Sequence, residues 1–155
     1  MDVLMKWLVA VLFVSLLGGK PVEVSGQSLR WTALEHLQDS LRAQTRPLMV
    51  FIHTDWCKYC QMQQKTTFRD PELVGLLNQK FYCLTLNAEE QKALKFLGRT
   101  YESGSSGNFH SLARMLGLEN GKLLFPTTVF YFPDSNAFKR FQGLQHADDL
   151  VLEIQ

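Results

Sequence analysis

Cysteine is scarce in this chain, with three in 155 residues. That is too few for a small domain stapled together by disulfides. An excess of one charge is missing as well. Lys and Arg number 16 against 15 Asp and Glu, a formal net charge of +1, which excludes a nucleic-acid binder that depends on a strong basic field. No apolar run reaches the roughly 20 residues needed by a stable bilayer-spanning helix, and no internal repeat is visible. Hydrophobic residues make up 46% of the chain and aromatics 12%, which excludes an intrinsically disordered protein. The length suits one globular domain with a substantial core.

The apolar run from Trp7 to Leu17 follows a short start carrying Lys6 and is closed by Gly18-Gly19-Lys20-Pro21. It has the proportions of a signal-peptide core. Small residues in Val24-Ser25-Gly26 suit cleavage before Gln27. Residues 1–26 are therefore expected to be a signal peptide and 27–155 the mature domain, placed in the periplasm or secreted. Cleavage there removes Lys6, Lys20, Asp2 and Glu23, leaving 14 − 13 = +1, so the mature chain carries no electrostatic hint of an anionic partner.

The remainder reads as alternating helices and strands. Leu29, Ala33, Leu37 and Leu41, with Leu34 beside them, predict an amphipathic helix over Ser28 to Thr45, ended by Arg46-Pro47. Pro47 to His53 is a nearly unbroken apolar run, the pattern of a central strand covered on both faces. A helix is expected from Cys57 to Thr67, and Asp70-Pro71 reads as a cap and first residue of another over Pro71 to Asn78. Phe81 to Leu86 is a second buried strand, Glu89 to Leu97 a helix and Gly98 to Asn108 a flexible glycine-serine loop. A short helix over Phe109 to Leu116, a strand over Thr127 to Phe132, a turn at Pro133-Asp134-Ser135-Asn136, an edge strand over Phe138 to Gln142 and a closing helix over Ala147 to Ile154 complete the order. This predicts an α/β fold with a central mixed sheet flanked by helices.

The chemistry is concentrated in Trp56-Cys57-Lys58-Tyr59-Cys60, directly after a strand and at the start of a helix. Residues three apart in a first helical turn share a face, close enough for two sulfurs to bond reversibly. The helix start favours an anion, and Lys58 adds positive charge, so Cys57 is read as the attacking thiolate and Cys60 as the resolving thiol. A zinc site would need a second ligand pair, and Cys83 lies alone in a strand. A c-type haem attachment would need histidine where Gln61 stands. A purely structural disulfide is the remaining alternative, but so small a loop constrains the unfolded chain little.

With those residues in view, the segment from about Arg46 to Gly143 resembles the thioredoxin-fold family. The resemblance rests on the strand entering Trp56 to Cys60, on Phe125-Pro126-Thr127-Thr128 before the late strand and on Gly143 after the hairpin. Thr67-Phe68-Arg69-Asp70-Pro71 is similar to the stretch after the active-site helix in the C-terminal domain of DsbD. The mature chain as a whole resembles the small exported thioredoxin-like proteins of Bacteroides-type bacteria. The resemblance implies a thioredoxin fold, a cis-proline at Pro126 facing the cysteine pair, and a Phe125 backbone free to pair with an extended substrate. It also implies no cofactor, client proteins with disulfides as partners, and a DsbD-type membrane electron donor. No nucleic-acid partner is expected, and the chain is taken to be a monomer.

The chain departs from that family where thioredoxins commonly bury an aspartate and lysine: Phe51 and Thr85 stand there. His53, two residues along the strand, becomes the candidate proton acceptor. Trp56 is expected to pack beside the cysteines and shield them, with Lys58 and Tyr59 shaping the site. Asp55 is expected to be exposed, Cys83 an inert buried thiol, and His36 and His146 solvated. Tyr101, Phe109 and His110 are candidates for a substrate-selecting rim. The function expected is that of an exported thiol–disulfide oxidoreductase that reduces or isomerises client disulfides. Two other classes remain open: a copper-handling protein using Cys57, Cys60 and a histidine such as His53 or His110, and a peptide-binding module without turnover.

Overall fold

The computed structural model describes residues 26–104 and 108–155. The expected signal peptide up to residue 25, and the centre of the glycine-serine stretch at 105–107, lie outside them. In chain order the elements are α1 (Leu37–Ala43), β1 (Leu48–His53), α2 (Lys58–Lys65), α3 (Pro71–Lys80), β2 (Tyr82–Asn87), β3 (Leu94–Phe96), β4 (Arg99–Tyr101), α4 (Ser111–Gly117), β5 (Thr127–Phe132), β6 (Ala137–Gln142) and α5 (Ala147–Ile154). Single turns of 3₁₀ helix precede α1 and α3.

Strand β1 is the axis of the molecule because almost every residue in it is apolar and therefore tolerates cover on both sides. It pairs in parallel with β2 and antiparallel with β5, and β6 follows β5 as a hairpin. The result is a four-stranded mixed sheet in the order β2-β1-β5-β6. Alternation along β1 divides the core in two. Met49 and Phe51 face Phe68, Leu73, Leu77 and Leu150 from α3, α5 and the turn before α3. Leu48, Val50 and Ile52 face Leu37, Leu112 and Leu116 from α1 and α4. This is the thioredoxin fold, a mixed sheet flanked by helices, as the sequence predicted.

Capping fixes where the helices begin. The Asp70 carboxylate accepts from the Leu73 N–H at 2.9 Å, with Pro71 in the first turn, as its sequence signature required. α5 spans the residues read for it.

Three expectations fail. The helix over Ser28 to Thr45 is present only in its second half. Leu34, Leu37 and Leu41 join one core layer while Leu29 joins the other, so the apparent stripe combined residues that serve opposite sides of the sheet. Between them the chain is extended: Trp31 bridges Cys83 in parallel, and the Thr32 N–H donates to the Cys83 carbonyl at 2.7 Å. The helix over Glu89 to Leu97 and the loop from Gly98 are replaced by turns and the β3-β4 hairpin. Leu97 and Gly98 both have positive φ, 47° and 80°, the conformation of a two-residue hairpin turn. Leu94 and Phe96 turn inward while Lys95 is exposed, a period of two that four apolar residues in five positions concealed.

Candidate active site

β1 ends at His53, and Thr54 to Trp56 turn the chain into α2, whose N-cap is Cys57. The Cys57 N–H donates to the Thr54 carbonyl at 3.3 Å, and the Cys60 N–H donates to Cys57 Sγ at 3.1 Å. Cys57 thus occupies the position where a helix presents unpaired donors and positive potential to an anion. Its sulfur is bonded to that of Cys60 across a Cα–Cα distance of 5.3 Å. The two residues are 5% and 2% exposed. Lys58 and Tyr59, between them, are exposed.

Across from this turn, the Phe125–Pro126 peptide bond is cis, as the resemblance implied. Pro126 has no N–H to give, and its carbonyl accepts from the Gly143 N–H at 2.7 Å. Gly143, at φ 85°, anchors the end of β6 to the cis bond. Phe125 packs against the core cluster that contains Cys57 and Cys60 and meets Trp56 edge-on, with ring centroids 6.1 Å apart.

Trp56, next to Cys57, is 63% exposed. Its ring is held upright by Phe125 and by a hydrogen bond from Nε1 to Glu89 Oε1 at 3.0 Å. Glu89 is fixed in turn by Asn87, whose Oδ1 accepts the Glu89 N–H at 2.9 Å and whose Nδ2 donates to Asp55 at 3.2 Å. Asp55 is exposed beside the motif, as expected.

Beneath the pair, Phe51 is fully buried and forms an aromatic wall with Phe68, Trp31 and His53. Phe51 and Thr85 are register partners on adjacent strands, so the two polar positions that this chain lacks adjoin each other. The His53 ring stacks on Phe51 at 5.7 Å. Burial pushes its pKa below the ordinary histidine value, against the opposing pull of Asp55 and a backbone hydrogen bond at Thr54. His53 is therefore held toward its neutral, proton-accepting form.

Gln63, which sequence reasoning passed over, is a fully buried polar residue one turn beyond Cys60. Its Nε2 donates to Thr128 Oγ1 at 2.8 Å and its Oε1 accepts from the Gln145 N–H at 3.0 Å. Thr67 Oγ1 donates to the Gln145 carbonyl at 2.6 Å. These bonds fasten α2 to β5 and to the chain after β6. The available signal was a glutamine three residues after Cys60, on the inward face of the predicted helix.

The remaining candidates divide. Phe109 meets Phe125 edge-on at 4.9 Å and so reaches the cis-proline side. His110 is not a rim residue: it is 1% exposed, and both of its ring nitrogens are engaged within the fold. Tyr101 packs against the core layer of α4. Cys83 is buried, and burial raises its pKa to about 12 despite the pull of Arg30. His36 and His146 are exposed. Among the described residues, no three His, Cys, Asp or Glu side chains converge as a metal site.

A family model described as thioredoxin-like matches residues 30–133. The chain belongs to the thioredoxin-like family. No match is found among curated proteins. Among solved structures, a thioredoxin from Thermus thermophilus is 24% identical, with 83% of this chain and 85% of that one covered at a TM-score of 0.56. A DsbH oxidoreductase is 14% identical over 86% and 90% at 0.54. A thioredoxin-fold protein from Helicobacter pylori is 14% identical over 70% and 66% at 0.52. At these identities the likenesses establish the fold. Family membership together with a cysteine pair at bonding distance supports thiol–disulfide oxidoreductase chemistry.

Proposed function

We infer that this thioredoxin-like protein reduces or isomerises disulfides in client proteins outside the cytoplasm. The observation that carries the reading is the Cys57–Cys60 disulfide at the N-cap of α2, packed in one cluster with Phe125 of the cis Phe125–Pro126 bond. In the reduced protein the Cys57 thiolate attacks a client disulfide. A mixed disulfide forms and one client sulfur leaves as a thiol. Cys60, deprotonated, then attacks Cys57 Sγ, which restores the internal disulfide and releases the second client sulfur. Two electrons pass from the pair to the client in each turnover. His53, neutral by reason of its burial, is assigned the Cys60 proton, the role left open where Phe51 replaces a carboxylate. Phe125 offers its backbone to an extended client segment, the Pro126 carbonyl being taken by Gly143, the logic of strand addition.

Export rests on the apolar run from Trp7 to Leu17. A reductase outside the cytoplasm consumes electrons that a membrane conduit of the DsbD type would replace at the Cys57–Cys60 disulfide. The deciding experiment combines equilibration of the pair with glutathione and a client trap. Cys60→Ser is expected to accumulate mixed disulfides with client proteins through Cys57, and Cys57→Ser to abolish both trapping and turnover. A potential near about −270 mV marks a reductase and one near about −120 mV an oxidant. Retention of full activity by Cys57→Ser would leave a binding module without redox chemistry.

A further inference from the structure

His110 is the only buried histidine among the described residues, and every polar atom it presents holds a different piece of chain. Nδ1 accepts the Leu112 N–H at 3.1 Å, which caps the start of α4. An amide N–H only donates, so Nδ1 is the unprotonated nitrogen and Nε2 carries the hydrogen. That hydrogen is directed at the Lys92 carbonyl, 3.2 Å away. The main-chain N–H of His110 donates to the Ala88 carbonyl at 2.7 Å. The next residue, Ser111, gives both its N–H and its hydroxyl to the Glu102 carbonyl. The imidazole therefore joins the approach to β3 to the first turn of α4, while the main chain of the same residue is tied to the turn after β2.

The residue before His110 is Phe109, whose ring meets Phe125 edge-on at 4.9 Å. Phe125 in turn meets Trp56 edge-on and enters the cis bond to Pro126. Phe109, Phe125 and Trp56 form a row of three aromatic rings beside the cysteine pair. Two of the three are set by their own elements: Trp56 by the Glu89 hydrogen bond and Phe125 by the cis bond. Phe109 packs against the core layer of α4, and its backbone runs directly into His110, whose ring ties the start of that helix to Lys92.

We propose that the His110 side chain is a positioning group which, by tying the start of α4 to Lys92, holds Phe109 against Phe125 and so selects client segments carrying a bulky apolar side chain beside the reactive cysteine. This rests on the client-binding role given above to Phe125.

The test compares two synthetic disulfide-linked peptides, one with phenylalanine next to the cysteine and one with serine, and hydroxyethyl disulfide, which is too small to reach Phe109. Wild type is expected to favour the phenylalanine peptide in kcat/KM. His110→Ala reduces the preference about fivefold at pH 8, the worth of one helix cap, and leaves the rate with hydroxyethyl disulfide unchanged. His110→Asn, which keeps an acceptor oxygen for the Leu112 N–H, restores most of the preference. Thermal melts of both variants separate loss of selection from loss of fold, and His110→Asn decides if His110→Ala does not fold. An unchanged preference in a folded His110→Ala, a parallel fall with hydroxyethyl disulfide, or a preference that His110→Asn fails to restore overturns the proposal. Failure of the wild-type pair to react with any of the three disulfides removes the oxidoreductase reading itself, and this inference with it.

Discussion

Three sulfurs share one small domain, and their surroundings give them different chemistry. Cys57 sits where backbone donors converge at a helix start, whereas Cys83 lies in β2 with its pKa raised to about 12 by burial. Thiolate is the form that alkylates. Iodoacetamide at about pH 8 is therefore expected to modify Cys57 first in the reduced native protein and to leave Cys83 untouched until denaturant is added, as peptide mass analysis will show. Early labelling of Cys83 would mean that β2 opens in the native state. Gln63 poses a different test because it is buried for its hydrogen bonds. Gln63→Met preserves most of the volume but strands the Thr128 hydroxyl and the Gln145 N–H, a loss of about 2–4 kcal/mol for two buried groups. Urea unfolding should show most of that loss in Gln63→Met and more in Gln63→Ala, where a cavity is added. Equal stability of Gln63→Met and wild type would show that water satisfies both stranded groups. The cysteine pair was legible in sequence because its spacing carries its chemistry locally, and the cis bond at Pro126 only through the family resemblance. Gln63, Glu89 and the tie from His110 to Lys92 were not, since each acts on partners 18 to 82 positions away that only the folded chain brings near.

Elements were legible where one physical pattern dominated. β1 is unbroken in its hydrophobicity, α3 has a capping carboxylate and proline, and α5 has a clean amphipathic repeat, and each lies where the sequence put it. The segment from Glu89 to Tyr101 failed because its apolar residues satisfy helical and strand periods alike, and the turn at Leu97-Gly98 decides between them. The N-terminal stretch failed because Leu29 and Leu37 belong to different layers, a division fixed by the whole sheet rather than by the stretch itself. The junction between β6 and α5 gives a test at this scale. Gly143 has positive φ and open space where a Cβ would stand, so Gly143→Ala meets backbone strain without a clash. The expected cost is about 1–2 kcal/mol, read by urea unfolding. The Gly143 N–H bond to the Pro126 carbonyl places that strain next to the cis bond, so client turnover should fall more than turnover of a small disulfide. A stability equal to wild type would show that the junction relaxes to negative φ.

For the molecule as a whole, the direction of electron flow is a question of folding thermodynamics. A disulfide closing a loop of three residues stabilises by about 2 kcal/mol through the entropy of the unfolded chain. The fold adds to or subtracts from that amount according to which redox form its site prefers. By the cycle linking folding to thiol exchange, the stability difference between oxidised and reduced protein equals the shift in reduction potential between native and unfolded chain, about 1.4 kcal/mol for each 30 mV. The helix start at Cys57 favours a thiolate and so the reduced form. The aromatic wall of Phe51, Phe68 and Trp31, without a buried carboxylate, favours an uncharged pair and so the disulfide. A protein that gives electrons to its clients has a native state that prefers the disulfide. The oxidised form is therefore expected to unfold at higher urea than the reduced form, with a difference of about 2 kcal/mol or more. A reduced form more stable than the oxidised one would assign the same fold and the same two cysteines to the opposite task, that of making disulfides in its clients.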